Sequence, residues 1–324
     1  MTETNKTQTV SQISQNYAQM RQEIKRMIVG NDDLIEMIII AVLSEGHILI
    51  EGVPGTAKTT LAKTYAVLSG CNFHRFQCSV DSQPADVIGV QFWNAEEKEF
   101  ELKKGPIFTN IFLIDEINRM SPKTQSAFIE ALSEKQVTID GERHEISSPF
   151  CAIATQNPME FEGTFPLIEA QKDRFMFSVY AKHLSGDEEL EVARREQNGM
   201  LNWEYFTKNL SSLSSPERIM EEIACVRNIH VGDEILSYIR DIVIATREHG
   251  DVSLGSSTRG TIALIRGSRA KAALENRSYV IPDDVKAIAV KALQHRIVIR
   301  REAEISGTTS IAVIRQIIDS IEVP

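Results

Sequence analysis

Three short stretches of this 324-residue chain carry residue types that can do chemistry together. The first is Gly52-Val53-Pro54-Gly55-Thr56-Ala57-Lys58-Thr59, followed by Thr60. It fits the pattern G-x-x-x-x-G-K-[ST], with Ala57 in place of the last glycine. Such a loop turns successive backbone N–H groups onto phosphate oxygens, and Gly52 and Gly55 permit the tight approach. Lys58 then reaches the outer phosphates and the Thr59 hydroxyl reaches Mg²⁺. Ala57 is tolerable there with a negative φ and disfavoured with a positive one. The bland alternative is a Gly/Pro turn between a strand and a helix.

The second stretch is Asp115-Glu116, two carboxylates closing the apolar run 111–114. Asp115 is placed to hold Mg²⁺, and Glu116 to orient and polarise the attacking water of a phosphoryl transfer. Alone, the pair reads first as a strand ending in a solvated acidic turn; downstream of a phosphate loop in the same chain, the catalytic reading is preferred. The third is Gln156-Asn157-Pro158, after the apolar run 150–155. The Asn157 amide either senses a terminal phosphate and helps orient water or is an ordinary turn asparagine before proline.

Two arginines and one bend complete the candidates. Arg174 follows a short helical segment; it either meets a helix dipole or acts as an arginine finger on the γ-phosphate of a neighbouring subunit. Arg259 opens a helix after the turn Gly255-Ser256-Ser257-Thr258, from which it either reaches back to its own subunit's phosphates or stays on the surface. The bend Val29-Gly30 either faces an adenine or is a plain helix–helix turn.

The elements that must position these residues follow from periodicity. Runs 47–50, 111–114 and 150–155 are continuous apolar stretches, as in buried parallel strands, and their carboxyl ends carry the polar candidates. Helical spacing of Ile13, Tyr17, Met20, Ile24 and Met27 predicts an amphipathic N-terminal helix, with a second helix from Asn31 or Asp32 to about Ser44. A helix over 58–69 stops at Gly70, and a strand follows over 73–78. Segments 89–106 and 136–146 predict two β-hairpins, the second turning at Asp140-Gly141. The Phe92-Trp93 flank of the first hairpin either contacts a partner or packs locally. From Ser185 onward helical periods dominate, with helices predicted over 187–198, 216–226, 233–248, 259–275, 282–294 and 309–321.

Length suggests two domains, and 42% apolar with 25% charged residues fits a soluble globular protein. The net charge of −10 argues against a non-specific nucleic-acid binder. The run 37–43 is too short to span a bilayer, no secretory signal is evident, and Cys71, Cys78, Cys151 and Cys225 lack metal-like spacing. Reduced thiols and a cytoplasmic address are therefore expected.

Taken in order, GVPGTAKT, FLIDEINRMSPKTQSAFIEAL, ATQNP, EGTFPLIEAQKDRF and the GSSTR turn resemble the AAA+ ATPases, and specifically the MoxR group, over nearly the whole chain. The resemblance implies an α/β P-loop NTPase αβα core with a central parallel sheet and β-hairpin insertions (1–184), followed by an all-α lid (185–324). It implies a homo-oligomeric ring, usually hexameric, with ATP and Mg²⁺ at subunit interfaces. By motif position, Lys58 and Thr59 are the Walker A lysine and hydroxyl, Asp115 and Glu116 are Walker B, Asn157 is sensor 1, Arg174 the arginine finger and Arg259 sensor 2. The two hairpins match insertions of a clade that includes magnesium-chelatase ATPase subunits. Ile168 stands where proline is usual, and Ser257-Thr258-Arg259-Gly260 replaces the usual Ser-Pro-Arg-Ala. The implied activity is Mg²⁺-dependent ATP hydrolysis coupled to chaperone-like remodeling of a protein client, often with a partner bearing a von Willebrand factor A domain. Alternatives are an ATP-gated scaffold with little turnover or a metal-chelatase-type motor subunit.

Overall fold

The computed structural model describes residues 3–53, 55–157, 163–208 and 210–324; Pro54 of the phosphate loop lies outside them. Two helices lead in, α1 (Glu3–Met27) and α2 (Asp32–Leu43). The α1 stripe of Ile13, Tyr17, Met20 and Ile24 is buried, as its four-residue recurrence requires.

The first half then runs β1 (Ile48–Gly52), α3 (Lys58–Ser69), β2 (Phe73–Gln77), α4 (Pro84–Ile88), β3 (Gly89–Asn94), β4 (Glu99–Lys104), β5 (Ile111–Asp115), α5 (Pro122–Glu134), β6 (Gln136–Ile139), β7 (Glu142–Glu145), β8 (Cys151–Gln156), α6 (Glu169–Lys172) and β9 (Phe177–Ala181). Five of the strands form one parallel sheet in the order β2-β5-β8-β1-β9. The three central strands are covered on both faces, which is why they read as unbroken apolar runs. Ile48, Ile50, Leu113 and Ile153 face one apolar cluster with α1, α2 and α3, while Leu49, Phe112, Ile114 and Ala154 face another with α5. Each fully buried Ile, Leu or Phe among them contributes roughly 1.5–3 kcal/mol.

Parallel pairing brings all five carboxyl ends to one edge. The register sets Gln77 beside Asp115, Glu51 beside Gln156, and Gly52 beside Ala181. Ligands of open α/β sheets bind at this edge. Both hairpins form as expected. Residues Asp140 (φ 48°) and Gly141 (φ 90°) make the type I′ turn. Trp93 and Phe100 stack edge to face at 5.2 Å on β3–β4, yet remain 54% and 67% exposed.

The second half comprises α7 (Gly186–Gln197), α8 (Trp203–Lys208), α9 (Pro216–Arg227), α10 (Asp233–Glu248), β10 (Val252–Leu254), α11 (Thr258–Leu274), α12 (Pro282–Leu293), β11 (Val298–Ile299), α13 (Arg301–Ile305) and α14 (Ser310–Ser320). Six of these helices match the periodic segments. The additions are α8, α13 and the β10–β11 ladder, elements too short to leave a period. One apolar cluster runs from the sheet through α1 and α2 into α9–α12. At Gly267 of α11 a Cβ would lie 2.7 Å from Ile288 and 3.0 Å from Phe177, so a glycine lets α11 close on β9 and α12.

Candidate functional site

β1 delivers the chain to the sheet edge at Gly52, where φ is +143° and a Cβ would sit 2.5 Å from the Ala181 carbonyl oxygen. Only glycine fits there. The loop re-enters helix at Lys58, and Ala57 holds φ at +56°. This is the disfavoured case for alanine, at a cost of about 1–2 kcal/mol, and it persists because the turn between β1 and α3 imposes it. No side chain caps α3, so its first-turn N–H groups point into the cleft, a ready anion site. Lys58 Nζ folds over the loop and donates to the carbonyls of Gly52 (3.0 Å) and Val53 (2.9 Å). Partial burial lowers the Lys58 pKa, and the charges of Asp115 and Glu116 oppose that shift.

The acids stand opposite, at the end of β5. Thr155 of β8 is the hub: its hydroxyl donates to Asp115 Oδ1 at 2.6 Å and accepts from the Glu116 backbone N–H at 2.9 Å. Arg75 of β2 donates to Asp115 Oδ2 from Nη2 at 2.7 Å and from Nε at 3.1 Å. Glu116, in the left-handed region at φ +60°, has Oε2 held by Gln77 Nε2 (3.0 Å) and Arg119 Nε (2.8 Å).

Together these groups line a cleft of about 540 Å³, formed by Gly52, residues 55–60, Arg75, Gln77, Asp115, Glu116, Thr155, Gln156 and Asn157. The structure brings Lys58, Thr59, Thr60, Asp115, Glu116 and Asn157 together around this cleft, with Val53 held against Lys58. A second cavity of about 430 Å³ adjoins at Gly55, Thr56, Ala57 and Thr60; its walls include Met27, Ile28, Val29, Leu184 and Val192. Val29 therefore faces a hollow of mixed polarity next to the phosphate loop, with Asn31, His183 and Glu189 also on its walls. Gly30 packs beneath it, against Leu184 and Glu188.

Two predicted residues lie elsewhere. Arg174 is at the amino end of β9, across the sheet from the cleft, and its Nη1 donates to Ser133 Oγ at 2.5 Å. Arg259 does not reach its own subunit's phosphate loop, contrary to one expectation. Its Nη1 pairs with Asp173 Oδ2 at 3.2 Å because the first turn of α11 docks beside the end of α6. Sequence reasoning missed Arg75, Gln77 and Thr155, whose roles depend on pairing between strands far apart in the chain. The strand pattern around Arg75 held a signal in hindsight: two long polar side chains, at positions 75 and 77, project from one face of an edge strand.

The cleft fits a magnesium nucleotide. The Thr59 hydroxyl and Asp115 carboxylate are hard oxygen donors of the kind Mg²⁺ prefers. The Gln156 Oε1 on the cleft wall is buried without a hydrogen-bond partner. The cleft is polar at the loop, and the neighbouring hollow combines apolar side chains with Asn31, His183 and Glu189, a mixed lining of the kind a base can use.

Comparison with known proteins agrees. Residues 47–177 match the family model described as "ATPase family associated with various cellular activities (AAA)", and residues 244–317 match the AAA lid domain. The chain is 42% identical over 303 residues to the uncharacterized protein YeaC of Bacillus subtilis, covering 94% of this chain and 93% of that one. It is 36% identical to the chaperone MoxR1 of Mycobacterium tuberculosis, covering 93% of this chain and 81% of that one. A crystal structure of a candidate ATPase from Cytophaga hutchinsonii superposes with a TM-score of 0.90 at 36% identity, over 98% of this chain and 97% of the other. The chain belongs to the MoxR group of AAA+ ATPases.

Proposed function

We propose that this chain hydrolyses ATP in the 540 Å³ cleft, with Mg²⁺, and works in a ring whose neighbouring copy completes the site. The observation that carries the reading is the convergence of Lys58, Thr59, Asp115, Glu116 and Asn157 on one cleft. Residues 1–184 serve as the nucleotide-binding core and 185–324 as the lid.

The loop amides and Lys58 bind the β- and γ-phosphates. Thr59 and Asp115 would hold Mg²⁺, which when bound neutralises charge on the phosphates. Glu116 orients and polarises the attacking water; one Thr155 hydroxyl holds the Asp115 carboxylate and the Glu116 backbone. Asn157, at the end of β8, orients the water from the other side. The hollow beside Val29 receives the adenine. Arg174 donates to Ser133, and Arg259 pairs with Asp173, the residue before Arg174 in the chain, so both are held by groups outside the cleft lining. In this reading both arginines serve a second copy, Arg174 as the finger that stabilises transition-state charge.

A relative named a chaperone supports protein remodeling as the output. The exposed Phe92, Trp93 and Phe100 on the β3–β4 hairpin supply an apolar surface suited to a protein client. A partner with a von Willebrand factor A domain and a hexameric ring are part of the same proposal. So is a cytoplasmic setting, in keeping with four free cysteines. Among the described residues, no helix is long and apolar enough to cross a membrane.

Phosphate release and ATP binding by wild type and Glu116→Gln test the reading. Wild type should turn over while Glu116→Gln binds ATP without hydrolysing it. ATP binding with no phosphate release by assembled wild type would establish the scaffold alternative instead.

A further inference from the structure

Both oxygens of Asp115 are engaged. Oδ1 accepts from Thr155 at 2.6 Å, and Oδ2 accepts twice from Arg75, at 2.7 and 3.1 Å. The same Arg75 Nη2 also donates to Gln77 Oε1 at 2.6 Å, and Gln77 Nε2 donates to Glu116 Oε2 at 3.0 Å. One guanidinium therefore constrains Asp115 directly and Glu116 through a single amide.

We propose that Arg75 is a positioning residue that competes with Mg²⁺ for Asp115: the guanidinium must release Asp115 Oδ2 before that oxygen could serve the metal. Giving up that oxygen also loosens the Gln77 hold on Glu116 and leaves Arg119 as the remaining one, so the state of Asp115 and the restraint on the water-orienting carboxylate are coupled. The proposal rests on the reading of the cleft as a magnesium–nucleotide site.

The surroundings favour exchange over a permanent tie. Arg75 is on β2, an edge strand of the sheet, and its side chain is 46% exposed while that of Asp115 is 15% exposed. The guanidinium can swing to water without leaving a buried unpaired charge. Thr155 keeps Asp115 aimed at the cleft while Arg75 moves. An arginine close to a carboxylate biases its affinity for a competing cation by ~10–10³-fold, and half exposure puts this pair near or below the low end.

The test uses the full chain loaded with a fluorescent ADP analogue in EDTA, into which Mg²⁺ is titrated. Arg75→Met keeps the bulk of the side chain, and Arg75→Lys keeps the charge without the two-pronged donor. Arg75→Met should bind Mg²⁺ ~3–10-fold more tightly than wild type, with Arg75→Lys between them. In an Asp115→Asn background, Arg75→Met should leave Mg²⁺ affinity unchanged, because the contested oxygen is gone. Unchanged or weaker Mg²⁺ binding by Arg75→Met would overturn the proposal alone. Failure of wild type to bind the analogue with or without Mg²⁺ would overturn the nucleotide reading and the proposal together.

Discussion

Arg296 and Asp173 form a buried ion pair, Nε to Oδ1 at 2.9 Å, that fixes the residue next to Arg174. Arg296 also donates to the carbonyls of Asp173 (3.1 Å), Phe175 (2.7 Å) and Met176 (2.9 Å). Burial pulls its pKa down to about 10, and Asp173 opposes the shift. The turn after α12 thus grips the whole 173–176 segment. Asp173→Asn strips the counter-ion from a guanidinium that is 2% exposed, and should cost about 3 kcal/mol in denaturant unfolding. Arg259→Met removes the 50% exposed partner of the same carboxylate and should cost under about 1 kcal/mol, while lowering turnover in assembled protein.

Binding and chemistry should separate at the cleft. Lys58→Ala is expected to abolish nucleotide binding, since Lys58 and the loop amides hold the phosphates. Glu116→Gln should keep binding and lower turnover by ~10²–10⁴-fold. Equilibrium binding of a fluorescent nucleotide beside steady-state phosphate release measures both. Equal loss of binding in the two variants would remove Glu116 from its assigned role.

The strained Ala57 makes a prediction about stability. Ala57→Gly relieves a left-handed alanine at φ +56°, but adds unfolded-chain entropy, so a gain of about 0.5 kcal/mol is expected with nucleotide binding intact. Ala57→Val should instead cost about 2 kcal/mol and weaken binding, since a branched Cβ tolerates that conformation poorly. Chemical denaturation of the three proteins decides it.

His47, just before β1, is buried with its ring neutral. Ala152 N–H donates to Nδ1 at 3.0 Å and Nε2 bonds the Leu132 carbonyl at 3.0 Å, which sets the tautomer. Burial lowers its pKa to about 4. The unfolded chain, with an ordinary histidine, binds a proton between pH 6.5 and 4 that the folded one refuses. Stability should therefore fall as pH drops through that window, by roughly 3 kcal/mol from this residue. His295, also pushed down by burial, acts in the same direction. His47→Gln should be less stable than wild type at pH 7, with the gap narrowing toward pH 4; parallel pH curves would refute the assignment.

Much of the site was legible because its parts are local. Lys58 and Thr59 follow their glycines directly, and Asp115, Glu116 and Asn157 close apolar runs, so strand polarity alone brings them to one edge. Arg75 and Gln77 were not legible: β2 is an edge strand without an apolar run, and their partners are set by pairing with β5, some 40 residues away in the chain. The backbone at Ala57 depends on the turn it closes rather than on its own preference. Arg259 was read toward its own cleft because a helix start by itself does not say which surface it docks on.

The most direct test mixes two inactive proteins, Lys58→Ala and Arg174→Ala, and measures phosphate release. If a cleft is completed by another copy, an intact cleft from the Arg174→Ala protein meets an intact arginine from the Lys58→Ala protein. Random mixing then restores about one quarter of wild-type activity. A mixture no more active than its two components would contradict the account.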